Sequence, residues 1–136
     1  MKNTMKKLLA LLLALVLTLA LAACGQKEVA LPVADGAVVG QGAVAFTVEV
    51  QGADGKTVTF TVNTDEETVG AALLKLGVIA GDDSEYGLYV KTVNGVTVDY
   101  DQDGKYWAFY VDGEYAATGV DSTDITAGAT YTFKAE

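Results

Sequence analysis

Apolar and polar positions alternate with period two along most of the chain after residue 43. Val44, Phe46, Val48 and Val50 alternate with Ala45, Thr47 and Glu49, which predicts a half-buried strand. Residues 52–55 carry turn chemistry. Val58, Phe60 and Val62 then alternate with Thr57, Thr59 and Thr61, predicting a returning strand with a β-branched outer face. The period then changes. Val69, Ala72, Leu73 and Leu76 stand at i, i+3, i+4 and i+7, one apolar stripe of a helix that Gly77 ends. Thr64 with Glu67 three residues on predicts a capping box at its start. Residues 81–87 read as a polar loop. Residues 88–93 and 96–100 read as a hairpin whose Asn94-Gly95 pair suits the positive φ of a type I′ turn.

The densest aromatic segment follows, at residues 106–115, with Trp107, Phe109 and Val111 on one face and Tyr106, Ala108 and Tyr110 on the other. Asp112-Gly113 predicts a second tight turn that brings Tyr115 back antiparallel. Turn residues continue through Gly119 and Gly128, and residues 131–133 give a last strand. Strands on both sides of a single helix predict an α+β fold: a β-grasp-like mixed sheet with one helix packed on one face. An all-β sandwich carrying a helical turn is the alternative.

The first 23 residues have another character. Lys2, Lys6 and Lys7 precede an apolar run over 8–21, and LAAC at 21–24 closes it with small residues before a cysteine. This predicts a lipoprotein signal peptide over 1–23, with Cys24 as the lipidated first mature residue. Residues 24–42 read as a flexible tether and 43–136 as one domain, placed on the extracellular face of a bacterial membrane through its lipid anchor. Cys24 is the single cysteine, so no disulfide is expected.

The chain carries a net charge of −9, and loss of three lysines with the signal takes the mature part to −12. Such a surface excludes nucleic acid as a partner. Histidine is absent, which removes Ser-His pairs and imidazole metal ligands and argues for a non-enzymatic role. Asp99, Asp101 and Asp103 before Gly104 match the first half of a calcium-binding EF-hand loop. Position twelve is Tyr110 rather than glutamate, so calcium is not expected to bind well there and a solvated turn is the plainer reading. Tyr100, Tyr106, Tyr110 and Tyr115 crowd around two adjacent hairpins and Tyr86 and Tyr89 flank the preceding loop, where amphipathic rings suit a half-wet ligand surface or simply cover the sheet.

YGLYVKTVNGV at 86–96 and YWAFYVDGEYA at 106–116, followed by Gly119, resemble the transcobalamin C-terminal-like domain of bacterial surface proteins. The resemblance spans about 44–133. Asp112 stands where the family usually has asparagine, and the helical barrel of the animal proteins is absent. The resemblance implies a β-grasp-like fold and a corrinoid (cobalamin-like) ligand lying against Tyr86, Tyr89, Tyr106 and Tyr110. Two functions are therefore expected of this lipoprotein: small-molecule capture, or adhesion to a protein or polymer of the envelope.

Overall fold

The computed structural model describes residues 28–136. The signal peptide expected over 1–23 and the expected lipidation site Cys24 lie outside the described residues. In chain order the elements are β1 (Val38–Gly40), β2 (Val44–Gln51), β3 (Thr57–Thr64), α1 (Val69–Leu76), β4 (Ile79–Ser84), β5 (Gly87–Val93), β6 (Val96–Thr97), β7 (Trp107–Val111), β8 (Glu114–Tyr115) and β9 (Thr130–Ala135). A single helical turn, Tyr100–Asp103, precedes β7, and a 3-10 turn, Val120–Ser122, precedes β9.

The arrangement is α+β. Six strands form a mixed sheet in the order β1-β3-β2-β9-β7-β8, with β1 parallel to β3 and β2 parallel to β9. Period two puts Phe46, Val48, Val50, Phe60, Val62, Tyr131 and Phe133 on one face, where all are buried. Phe109 joins them, its ring 5.2 Å from Phe133 and 6.1 Å from Tyr131. Helix α1 buries Val69, Ala72, Leu73 and Leu76 in the same cluster, and Gly77 ends it at φ 75°. The strands β4, β5 and β6 make a separate antiparallel sheet.

Four local expectations give way. The helix cap is Thr68, whose Oγ1 accepts from Ala71 N at 3.2 Å, because the β2–β3 ladder extends to Val44 and Thr64 and leaves Thr64 in the sheet. Residues 81–84 belong to strand β4 rather than to a loop. They are exposed, so no apolar period marks them; Gly81 sits where a side chain would strike the Tyr89 carbonyl. The strand expected over 96–100 stops at Thr97, since Asp99 caps the turn after it.

The fourth correction concerns the tether expected over 24–42, which is docked from Val29 onward. Val29 N donates to Leu76 O at 2.9 Å, Val33 is 4% exposed, and Asp35 Oδ1 accepts from Thr59 N at 2.8 Å. Asn94 clamps Val33, accepting its N–H through Oδ1 at 2.6 Å and donating through Nδ2 to its carbonyl at 3.3 Å. A three-residue edge strand is too short to display a period, which is why alternation could not reveal it.

Candidate functional site

An eight-residue helix is about 12 Å long, whereas six strands about 4.8 Å apart make a much wider sheet. Helix α1 therefore leaves the β7–β8 end of the inner face to other elements. Strand β5 and residues 116–120 stand there without joining the large sheet's ladder. The result is a cleft of about 370 Å³.

Each wall follows from local sequence. Trp107 and Phe109 of β7 line it from the large sheet, and Leu88, Tyr89 and Val90 line it from β5. Tyr86, Tyr106 and Tyr115 contribute phenol rings, and small residues at 116–119 leave the space open. Trp107 is 6% exposed, and its Nε1 donates to Lys91 O at 3.1 Å, bridging the two sheets. The fourth side is pinned by Asp121, whose Oδ2 accepts from Leu88 N at 3.2 Å. Gly70 lets α1 approach that segment closely, since a Cβ there would lie 2.9 Å from the Asp121 backbone.

Polar groups are few and oriented. The Tyr106 and Tyr115 hydroxyls lie 3.4 Å apart, and this hydrogen bond, aided by desolvation, pushes the Tyr106 phenol up to about 12. Lys91 stands 5.9 Å over the Tyr89 ring and pairs with Asp82 at 2.7 Å, a hydrogen bond that raises the lysine's pKa.

Of the four tyrosines singled out in the sequence, the cleft gathers Tyr86, Tyr89 and Tyr106. Tyr110 does not join them. It lines a separate concavity with Glu49 and Thr132, and its hydroxyl donates to Glu136 Oε1 at 2.6 Å. Tyr115, one of the tyrosines that the sequence crowds around the hairpins but not one of the four assigned to a ligand, also lines the cleft and pairs with Tyr110 across the Asp112-Gly113 turn. Trp107 and Phe109 were read as core alone; they are core residues that also line the cleft. Asp99, Asp101 and Asp103 do not form a cation site. Asp99 Oδ1 accepts from Asp101 N and Asp103 Oδ2 accepts from Asp99 N, both at 2.9 Å, so two carboxylates cap the helical turn. Among the described residues no group of three potential ligands could hold a metal ion.

The family model that matches is Domain of unknown function (DUF4430), over residues 66–136, just over half of the chain. This span holds α1 and the whole cleft. Among solved structures, the fold is similar to that of a presumed metal-binding protein from Ruminococcus gnavus ATCC 29149, at 28% identity and TM-score 0.65, covering 69% of this chain and 97% of that one. It is also similar to haptocorrin in complex with Cbi, a cobinamide, at 17% identity and TM-score 0.51. There the match covers 68% of this chain but only 25% of haptocorrin, so the likeness to transcobalamin-type proteins stands at the level of fold. No curated protein matches the sequence.

Proposed function

The chain belongs to the DUF4430 family, and on that premise we propose that it is a non-enzymatic capture domain whose aromatic cleft binds a flat, amphiphilic small molecule of the corrinoid class. One observation carries the reading: a concavity of about 370 Å³ walled by Trp107, Phe109 and Tyr89, with phenol hydroxyls of Tyr106 and Tyr115 tied together beside it. Ligand sites take this form, an apolar surface with a few placed polar groups. The cleft has room for one edge of a macrocycle, so much of the ligand stays in water and the expected affinity is micromolar.

The residues present decide how such a ligand would be held. No histidine occurs, and the cysteine and both methionines lie within residues 1–24, outside the domain. Imidazole, thiolate or thioether ligation of cobalt by the domain is therefore ruled out by its composition. Contact is by stacking and by tyrosine hydrogen bonds. A dedicated metal-ion site does not fit the same residues, for the described carboxylates do not converge in threes.

In this proposal Cys24 carries the lipid that holds the domain outside the membrane. Cys24→Ser should release the protein from the membrane fraction or leave it unprocessed; a processed, membrane-bound variant would remove the anchor from the proposal.

The binding test is titration of the full chain, in non-denaturing detergent, with cyanocobalamin by calorimetry. Micromolar binding that Tyr89→Ala weakens supports the site. Absence of heat at high micromolar ligand, or binding indifferent to Tyr89→Ala, overturns it.

A further inference from the structure

We propose that the cleft selects positively charged corrinoids over neutral ones; the inference rests on the reading above and names the charge class of its ligand. Residues 28–136 hold all 18 carboxylates of the chain but only five of its nine lysines. Three of those five are already occupied, Lys75 by Glu66, Lys91 by Asp82 and Lys134 by Glu136. The domain therefore sets up a negative potential, and a concavity with apolar walls concentrates it.

The distribution of charge around the cleft has the same sign. Its lining contains no charged side chain. Carboxylates stand next to that lining instead: Glu85 precedes Tyr86, Glu114 precedes Tyr115, and Asp121 follows Val120. Among the described residues no lysine pairs with any of the three. Lys105, ahead of Tyr106, is the single described lysine adjoining the lining that no carboxylate holds, so the rim stays negative.

The walls add a second attraction for a cation. An aromatic face is the negative side of the ring's quadrupole and draws a positive group within about 6 Å of the centroid. One wall ring already does so, with Lys91 Nζ 5.9 Å from the centre of Tyr89. Tyr86, Tyr89 and Tyr115 are exposed, so ring surface remains open to a ligand. A corrinoid whose cobalt(III) holds a water molecule carries a positive charge at the macrocycle, and cyanide in the same place removes it. The cation meets both the phenol faces and the negative rim; the neutral form uses neither.

The test is calorimetric titration of the full chain, in uncharged non-denaturing detergent at mildly acidic pH, with aquocobalamin and with cyanocobalamin. The two differ in one axial cobalt ligand and in one unit of charge. Aquocobalamin should bind about two- to fivefold tighter at low salt, the range expected of an exposed cation–aromatic contact. The preference should narrow at high salt, where charges are screened within a few ångströms, and in the double variant Glu85→Gln, Glu114→Gln, whose sites are both exposed. The visible spectrum of aquocobalamin should stay unchanged on binding, which shows that no protein group replaces the water. Equal affinities, a tighter cyanocobalamin, a replaced water, or a preference that high salt and the double variant leave intact overturns the inference and spares the corrinoid reading. Absence of heat with both ligands overturns the two together.

Discussion

The Trp107 indole donates to the Lys91 carbonyl across 3.1 Å, and that bond ties β7 of the large sheet to β5 of the small one. The two sheets share no ladder, so the indole acts both as core and as a spacer that fixes the width of the cleft. Trp107→Ala should destabilise the protein by roughly 3–5 kcal/mol, mainly through the cavity it leaves. Trp107→Phe keeps a ring and loses the hydrogen bond, at about 1 kcal/mol. Urea melts of both variants check the ordering; an unshifted midpoint for Trp107→Ala would contradict the burial.

Asn94 is expected to latch the amino-terminal segment. It occupies φ 50°, which few side chains adopt readily, and it satisfies both the N–H and the carbonyl of buried Val33. Asn94→Ala should cost about 2–4 kcal/mol, from the unpaired buried N–H and the backbone strain together. Asn94→Asp retains the acceptor and should cost less. Limited proteolysis should cut before β1 faster in Asn94→Ala than in the parent protein.

Gly70 is expected to control the cleft from a distance. An added methyl would meet backbone atoms of Asp121 at 2.9 Å, and backbone has no rotamer by which to move aside. Asp121 also holds Leu88, on the cleft wall. Gly70→Ala should therefore destabilise the fold by roughly 1–3 kcal/mol and weaken cyanocobalamin binding together with it. Unchanged thermal melting would show that the segment shifts freely.

Tyr106 provides a pH signature. Its folded pKa is raised to about 12, first by the hydrogen bond with Tyr115, so the native state retains the phenol proton longer than the unfolded chain does. That contribution is fully present below pH 10 and is lost as pH rises through 12. In a Tyr110→Phe background, which removes the second phenol raised by a hydrogen bond, the one to Glu136, ultraviolet titration should show a late-ionising tyrosine, and Tyr115→Phe should return that ionisation toward 10. A late component that survives Tyr115→Phe would assign the shift to another group.

The sequence alone determined the elements whose cause is local. Period two set the inner faces of β2, β3 and β7, the stripe from Val69 to Leu76 set the helix, and Gly77 stopped it at positive φ. The Asn94-Gly95 and Asp112-Gly113 pairs set two turns, with φ of 50° and 83°, and of 48° and 85°. Each of these rests on neighbouring residues, so a linear pattern displays it. Tertiary structure decided what depends on residues far apart. Thr64 became strand rather than cap because Val44 pairs with it, and residues 38–40 became an edge strand because β3 lay open to pairing. The tyrosine cluster was divided in the same way. Tyr86, Tyr89 and Tyr106 meet only because a second sheet stands beside the end of a short helix, and Tyr110 is held apart from them by its hydrogen bond to Glu136, just past the end of β9. Alternation is written in the sequence, but which element comes to cover each face is settled only by long-range packing.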